Sequence, residues 1–329
     1  MDLLLETTQP DGAQVKIFRL VPPEKDAAVI RRMGDYLFHS LGSDNYRQEA
    51  IDINAWRLYC LDSLAGQYSS EIVDHFYFAM VDGIPAARLW FGFSRKTGHG
   101  NFGNVLTEPE WRQRGLMDLL LHCFRQDFAA GSATFLCCGS GTPYAIRSYR
   151  RHGFRMLYRG ESGLMCLGKG DFFKEAARCY PGPGAVTLRP GTIADQFECD
   201  RFLACIPVMQ NLPGPGADSG IHNYRTAFQE SLSGRACVMV AENGTGSAAG
   251  YAFAAVTPCG DRLDLFLHPD YLPAGAELLR QTAAEFQSRF GRTPLLAAAP
   301  EDATRQQLAR AAGFVPAENS LRLFRPPTK

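Results

Sequence analysis

The sequence predicts an α/β protein of two domains in tandem, each a central mixed, mostly antiparallel sheet flanked by helices. The chain has 329 residues, too many for one typical core and enough for two domains of about 150 residues each. The segment Tyr180–Gly184 (YPGPG) lies near the middle, and its prolines and glycines interrupt any helix or strand. We therefore expect one domain over residues 1–180 and a second over residues 185–329.

Both halves show the same order of predicted elements. Each opens with a short strand and a helical pattern, then continues with a hairpin whose Asp-Gly or Asn-Gly turn is a strong hairpin signal. A strand, a glycine-containing turn and a helix follow, and each half closes on a helix that ends at Gly-Phe. Gly115 and Gly153 are 38 positions apart, and so are Gly275 and Gly313. The match predicts an internal duplication with the order β-α-β-β-β-α-β-α-β.

Composition excludes several classes of protein. Lys+Arg and Asp+Glu both number 34, which argues against a nucleic-acid partner. No apolar run reaches the length of a membrane span, and the first residues lack a signal-peptide pattern, so we expect a cytoplasmic protein without a membrane partner. The ten cysteines form no CxxC motif. Cys137 and Cys138 are adjacent in a strand-like run and point to opposite faces, so we expect buried thiols and no metal.

The segment Asn104–Leu121 (NVLTEPEWRQRGLMDLLL) combines a strand, a turn containing Gly115 and an amphipathic helix. Such a turn leaves backbone N–H groups directed at one point in front of the helix, where the helix dipole adds positive charge. A pyrophosphate fits this arrangement, with close approach allowed by Gly115 and countercharge from Arg112 and Arg114. A plain strand-to-helix connection has the same outline, so this motif alone leaves both interpretations open.

With a second segment, the turn resembles the GNAT superfamily of N-acetyltransferases. The first family mark is a strand, a proline and Arg/Gln-x-x-Gly-x-Gly/Ala; LTEPEWRQRGLM carries Arg112 and Gly115, with Met117 where a small residue is usual. The second is Asn-x-x-Ala-x-x-x-Tyr-x-x-x-Gly-Phe, and TPYAIRSYRRHGF departs from it in having Thr142 for the asparagine. The residues that match the second mark are Ala145, Tyr149, Gly153 and Phe154. Together the marks cover roughly residues 15–168.

The resemblance implies acetyl-CoA as co-substrate, with its pantetheine arm on main-chain groups of the splayed strand and its pyrophosphate in the turn. It also implies that Tyr149 protonates the leaving thiolate. A phenol with a pKa near ~10 is protonated at neutral pH and can donate to a thiolate whose conjugate acid is near ~8.5. The coenzyme contacts implied are Leu106, Thr107, Arg112, Gln113, Arg114, Gly115, Leu116, Met117 and Thr142.

The general base is left open by the sequence. Many family members have a glutamate on the strand before the turn, but the corresponding residue here is Asn101, which cannot act as a base. His99 lies close by and titrates near neutrality, so it is the candidate we name. Loss of the amine proton through water is the alternative.

The second half departs from the family at its chemical positions. Leu272 stands where Arg112 stands, Pro273 removes an N–H donor, and Ala309 replaces Tyr149. Glu277, in place of Met117, adds negative charge beside the expected pyrophosphate. We expect residues 185–329 to form a degenerate GNAT-like domain that serves as scaffold, as a wall of the acceptor site or as a dimer surface.

These features predict an N-acetyltransferase that moves an acetyl group from acetyl-CoA to a primary amine of a small molecule or peptide by direct attack in a ternary complex. A non-catalytic acyl-CoA-binding sensor is the alternative. A transferase using aminoacyl-tRNA is disfavoured by the neutral charge. The insert Gly42–Ile72 contains Trp56, Tyr59 and Tyr68, either as an aromatic wall for the acceptor or as packing against the second domain. A homodimer is left open.

Overall fold

The computed structural model describes residues 1–38, 50–157, 163–202, 221–257, 260–299, 302–317 and 323–327. The chain divides into two compact units. The first consists of Met1–Ser43 and Arg57–Phe172, and the second of Asp44–Trp56 and Phe173–Lys329. The division at Phe172 lies upstream of the linker that the sequence predicts.

In the described residues, the first half of the chain forms eight strands and four helices. The strands are β1 (Asp2–Thr8), β2 (Gln14–Leu20), β3 (Ile72–Val81), β4 (Ile84–Ser94), β5 (His99–Thr107), β6 (Phe135–Gly139), β7 (Arg155–Met156) and β8 (Leu164–Gly168). The helices are α1 (Ala27–Phe38), α2 (Ala50–Leu64), α3 (Leu116–Ala130) and α4 (Pro143–Arg151).

The second unit repeats the strands of the first, with one strand fewer among its described residues, and its first helix precedes its first strand. Its strands are β9 (Val186–Pro190), β10 (Ala236–Asn243), β11 (Ala248–Ala255), β12 (Arg262–Leu267), β13 (Leu295–Ala297), β14 (Val315–Pro316) and β15 (Leu323–Arg325). Its helices are α5 (Phe172–Cys179), α6 (Tyr224–Leu232), α7 (Gly275–Phe290) and α8 (Ala303–Ala311).

The two sheets have the same strand order. The first runs β1-β2-β3-β4-β5-β6-β8-β7 and the second, read from its other end, β9-β10-β11-β12-β13-β15-β14. Within the described residues, the pairs β5–β6 and β12–β13 are parallel and the remaining pairs are antiparallel. The predicted fold class, two mixed and mostly antiparallel sheets flanked by helices, is confirmed, and the matching order supports the duplication.

Among the described residues, three features go beyond the predicted order. β1 adds a strand to the edge of the first sheet, α2 lies within the insert after α1, and each half ends on a pair of short antiparallel strands where one strand is predicted. The short strands β7, β14 and β15 depend on pairing with a neighbouring strand, because segments of two or three residues have too short a pattern to be recognised locally.

The core of the first unit lies between the sheet and α3. The apolar face of α3 is spaced at three and four residues, so Leu116, Leu120 and Phe124 face the sheet together. Phe124 packs on Phe102 with ring centroids 5.0 Å apart. Burial of each such side chain stabilises the fold by about 1.5–3 kcal/mol. The opposite face of the sheet is covered by α1 and by α2, whose Tyr59 contacts Trp90 edge-on.

No helix among the described residues combines the length and the apolar character that a membrane crossing requires.

Candidate active site

A split in the first sheet opens beside β5. β5 pairs with β6 only from His99 to Asn101, whereas β6 continues to Gly139 along β8. A bulge then bends β5, because the two residues Asn104 and Val105 lie opposite one residue of β4. In the described structure, residues 102–107 of β5 therefore do not pair with β6. The predicted pantetheine contacts, Leu106 and Thr107, are among these residues.

Two side chains that the sequence analysis missed hold this bulge in place. Asn104 adopts a left-handed conformation with φ 50°. Its Oδ1 accepts a hydrogen bond from Nε of the buried Arg88 at 3.1 Å, and its Nδ2 donates to the Leu37 carbonyl at 3.0 Å. Arg88 also donates from Nη1 to the Tyr36 carbonyl at 2.6 Å. The last turn of α1 is thus tied to the bulge. The sequence signal for this contact was Arg88 itself, a charged residue inside an otherwise apolar strand.

The turn between β5 and α3 has the conformation of an anion-binding loop. A 3₁₀ turn over Pro109–Trp111 is followed by Gln113 at φ 63° and by Gly115 at φ 76°, both left-handed. Among the described residues, none accepts a hydrogen bond from the six consecutive N–H groups of residues 113–118, and the first helical bond runs from Leu119 N to Gly115 O at 3.2 Å. Six free donors at a helix N-terminus suit a pyrophosphate.

The two arginines of the turn have different partners. Arg112 donates from Nε to the Thr107 carbonyl at 3.1 Å, is exposed, and has no described carboxylate within ion-pair distance. Arg114 forms an ion pair with Asp11 at 2.6 Å and stacks over Trp111 at 5.0 Å, and its carbonyl accepts a bond from Gln9 at 2.9 Å. The β1–β2 turn thus braces the loop, and Asp11 offsets the charge of Arg114. Arg112 is the arginine whose charge remains for a ligand.

Side chains at the start of α3 point away from the loop. Leu116 is buried and Met117 is half-buried against the same core. Their contribution to a bound phosphate is therefore limited to main-chain N–H groups, and Met117 is accommodated where a small residue is usual because its side chain turns inward.

α4 brings Tyr149 to the split. The Tyr149 ring is buried, packs edge-on against Phe102 at 5.3 Å and lies 5.7 Å from Phe154. Phe102 is the first β5 residue beyond the pairing with β6, so the phenol lies where the strands separate. Burial raises the pKa of Tyr149, which keeps the phenol protonated. No described residue accepts a hydrogen bond from its hydroxyl.

Thr142 lies at the N-cap of α4 and is exposed. Its hydroxyl is 3.1 Å from Ser140 Oγ and forms no cap bond with the helix. The helix start near the split therefore keeps N–H groups that its cap residue does not use.

His99 is placed away from Tyr149. It is the first residue of β5 and only 1% exposed, with its ring edge-on to Phe135 at 6.1 Å. Because side chains alternate along a strand, His99 and Asn101 face the side of the sheet opposite to Phe102 and Tyr149. The structure thus separates the two predicted catalytic residues, and the role of His99 stays a prediction.

The aromatic residues of the insert belong to the interior. Tyr59 and Tyr68 are buried and stack at 5.9 Å, and Tyr59 donates to Asp74 at 2.7 Å. Trp56 falls in the second unit, where the Arg225 guanidinium lies 4.6 Å from its ring. Residues 42–49 of the insert lie outside the described residues.

The equivalent turn in the second unit lacks the anion-binding conformation. Its 3₁₀ turn, Pro269–Ala274, contains Pro273 and runs directly into α7. Gly275, the counterpart of Gly115, is right-handed with φ −61°, and a Cβ placed on it would lie 3.0 Å from Leu308. The chain is helical and packed where the first unit has a loop with free N–H groups.

The cleft of the second unit is filled by Arg305. This residue occupies the position of Ala145 in the first unit, from the same point of α8. Its Nη1 donates to Asp264 and its Nη2 to the Leu265 carbonyl at 3.3 Å. Arg305 therefore bonds to main chain of β12 that lies beyond the β12–β13 pairing. A cavity of about 30 Å³ remains there, and four of its eight lining residues are leucines.

No protein-family model and no curated protein matches the sequence. The solved structures to which the chain is similar include proteins of the GNAT superfamily.

One is a putative GNAT-family acetyltransferase from Desulfovibrio desulfuricans, 21% identical, with 47% of this chain and 98% of that chain covered and a TM-score of 0.33. A tandem GNAT protein from the clavulanic acid biosynthesis pathway is 13% identical, with 95% and 100% covered and a TM-score of 0.37. PaiA N-acetyltransferase from Thermoplasma acidophilum, solved with coenzyme A, is 12% identical, with 46% and 99% covered and a TM-score of 0.31. At such values these are similarities only, and the chemistry of this chain follows from its own residues.

Proposed function

We propose that this chain is a GNAT-type acyltransferase that transfers an acetyl group from acetyl-CoA to a primary amine of a small molecule or peptide. One observation carries the proposal: the six consecutive backbone N–H groups of residues 113–118, at the start of α3, have no partner among the described residues, and they follow directly after the strand that separates from β6 at the split. An anion site beside an open strand edge suits a diphosphate joined to an extended, amide-containing arm.

Each part of the site has a separate task in this reaction. The N–H groups of residues 113–118 and the charge of Arg112 bind the pyrophosphate. Main-chain groups of Leu106 and Thr107 pair with the amides of the pantetheine arm, although the Thr107 carbonyl already accepts one bond from Arg112.

The chemical step requires a proton for the departing sulfur. The neutral amine nitrogen forms a bond to the thioester carbon, the carbon–sulfur bond breaks, and the Tyr149 hydroxyl donates its proton to the sulfur. The nitrogen gives up one proton to water, and the Tyr149 phenolate takes up a proton from water, so the net transfer is one proton from nitrogen to sulfur. Burial makes the phenol a weaker acid, but the same apolar surroundings make a thiolate more basic, so the two pKa values rise together.

The second unit supports the proposal by contrast. Tyr149 is matched by Ala309, Arg112 by Leu272, and the cleft residue Ala145 by Arg305. We propose that coenzyme binds in the first unit alone.

Calorimetry on the full chain with acetyl-CoA tests the proposal. Arg112→Glu places a negative charge next to the pyrophosphate and should weaken binding by roughly 1–3 kcal/mol. Arg310→Glu is the matched control, since this exposed arginine on α8 bonds only to Gln306 among the described residues and the net charge changes equally. Equal affinities of the two variants would show that the turn is not the phosphate site. Normal acetyl-CoA binding without turnover on any amine would indicate the sensor instead.

A further inference from the structure

Two cysteines face each other across neighbouring strands of the first sheet. Cys137 on β6 and Cys166 on β8 are register partners, so their side chains point to the same side of the sheet. Of the eight cysteines that the structure describes, these are the two that a strand register places directly opposite one another. Both are thiols in the structure, and they are 1% and 5% exposed. Neither has a part in the acetyl transfer proposed above.

The hydrogen bonds at the two ends of this strand pair define the kind of pairing at the cysteines. Lys169 N donates to the Thr134 carbonyl at 2.9 Å. At the other end, Ser140 N donates to the Gly163 carbonyl at 3.1 Å. Hydrogen-bonded and non-hydrogen-bonded pairs alternate along antiparallel strands, and Cys137 lies three positions from each of these bonded pairs. The cysteine pair is therefore non-hydrogen-bonded.

A non-hydrogen-bonded pair has the dimensions that a disulfide requires. Its Cα atoms are about 4.5 Å apart, and its side chains are closer together than those of a hydrogen-bonded pair. Disulfides span Cα separations of about 4.4–6.8 Å and Cβ separations of about 3.5–4.5 Å. Cys137 and Cys166 can thus be joined by rotation of their side chains, without a change of register in either strand.

The adjacent Cys138 is placed differently. Its side chain points to the opposite face of the sheet, where it belongs to the core beneath α3, and its register partner is Met165. A bond from Cys138 to Cys166 would have to cross the sheet. A bond between Cys138 and Cys137 would require the main chain to leave the extended conformation, because neighbouring side chains of a strand point apart.

The cysteine pair lies close both to the end of the sheet and to the split. In the described sheet, β8 has β7 as its outer neighbour, and β7 contributes only two residues. A short edge element opens locally at little cost in free energy, which gives a small oxidant a route to Cys166. On the other side, Cys137 is the register partner of Asn101, the last β5 residue paired with β6. A bond between the cysteines would therefore fix β6 to β8 at the level where the split begins.

We propose that Cys137 and Cys166 are a redox-sensitive pair, which hydrogen peroxide converts into a reversible cross-strand disulfide. The Cys166 sulfur bonds to one peroxide oxygen, the O–O bond breaks, and the departing hydroxide leaves as water with the thiol proton. The Cys137 sulfur then bonds to the resulting sulfenic sulfur, and the second hydroxide leaves as water with the proton of Cys137. Two thiols and one peroxide thus give one disulfide and two waters. A dithiol such as dithiothreitol reverses the step by exchange and is itself oxidised to a disulfide.

Peptide mapping after peroxide treatment tests the pair in the full chain. The reduced protein is treated with hydrogen peroxide, the remaining thiols are alkylated, and the tryptic peptides are analysed by mass spectrometry without reduction. We expect a disulfide between the peptides of residues 126–147 and 160–169, which contain the two cysteines. Dithiothreitol should remove this link. Cys237, which is buried in the second unit opposite an alanine, should remain reduced under the same conditions.

Single substitutions identify the sulfur atoms that form the link. Cys138→Ala should keep the linked peptides, whereas Cys137→Ala and Cys166→Ala should lose them. Cys138 is the matched control, because it is 3% exposed and lies in the same tryptic peptide as Cys137. Retention of the link in Cys138→Ala assigns it to Cys137, whether or not the other two variants fold.

The melting temperature gives a second measurement. In Cys138→Ala, oxidation should raise the melting temperature of the first unit by about 4–16 °C, because a disulfide restricts the unfolded chain. A link that persists in Cys137→Ala, a disulfide between Cys137 and Cys138, a sulfinic acid at Cys166 in place of a disulfide, or two cysteines that peroxide leaves unchanged would each overturn the inference.

The inference is separate from the proposed function, because neither cysteine belongs to the turn that is proposed to bind acetyl-CoA. Calorimetry with acetyl-CoA on the reduced protein keeps the two apart. A reduced chain that does not bind acetyl-CoA but forms the linked peptides would contradict the proposed function and leave the cysteine pair in place. A chain that binds acetyl-CoA and forms no link would reject the pair alone.

Discussion

Replacing Gly115 by alanine tests whether the shape of the turn is what binds the coenzyme. Gly115 has φ 76°, and a Cβ placed on it would meet nothing within 4 Å. The substitution therefore adds no steric clash, and its cost is the left-handed conformation of a non-glycine residue, about 1–2 kcal/mol. The described contacts of the loop are mainly those of Arg114 with Gln9 and Asp11, so the free loop can relax.

A relaxed loop has to regain the left-handed conformation when coenzyme binds. The strain of about 1–2 kcal/mol then appears in the binding free energy and lowers the acetyl-CoA affinity by a factor of about 5–30. Calorimetry on the purified variant measures this factor, and chemical denaturation measures any loss of stability.

Gly313→Ala is the matched control. Gly313 has φ 78°, and its Cβ would also meet nothing within 4 Å, but it follows α8 in the second unit. It should destabilise its unit by a comparable 1–2 kcal/mol, roughly, and leave the acetyl-CoA affinity unchanged. An unchanged affinity in Gly115→Ala, or an equal loss in both variants, would refute the reasoning.

Three further predictions follow from the described contacts. Tyr149→Phe should lower kcat by about 10²–10⁴-fold at unchanged acetyl-CoA affinity, while Tyr144→Phe on the exposed side of α4 changes neither in steady-state assays. Burial lowers the pKa of His75 from 6.5 to about 4, so the neutral form is favoured in the folded state. The contribution of His75 to the free energy of unfolding is therefore fully present above pH 6.5 and falls by about 2–3 kcal/mol as the pH drops from 6.5 toward 4. Denaturation at several pH values should show this dependence, and His75→Gln should lack it. Arg305→Ala leaves Asp264 buried without that partner, which should cost about 3–5 kcal/mol in denaturation without creating a second acetyl-CoA site in calorimetry.

The fold could be predicted from the sequence because its signals are local. Hairpin turns at Asp82-Gly83 and Asn243-Gly244 join strands that the structure pairs as β3–β4 and β10–β11. The equal glycine spacing predicts the repeat of elements that the two sheets show. A turn before α3 could be predicted because a glycine such as Gly115 adopts a positive φ readily. Its role in binding a phosphate stays a prediction.

The remaining features depend on residues distant in sequence. Nothing next to Arg114 indicates that Asp11 will neutralise it, since the two are brought together by the folded β1–β2 turn. The bond between Arg88 and Asn104 likewise requires the bulge to exist first. His99 shows the opposite case, because strand alternation, a local rule, would have placed it on the face away from Tyr149.

The arginine in the cleft of the second unit has a consequence for engineering that unit. Arg305 bonds to Asp264 and to the main chain of β12, so the cleft is part of the stabilising interior. No single substitution reopens it, because rebuilding the turn at Leu272, Pro273 and Glu277 leaves the cleft filled, and removing Arg305 leaves the buried Asp264 without that partner. An open cleft in the second unit therefore requires coordinated changes in the turn, in α8 and in β12.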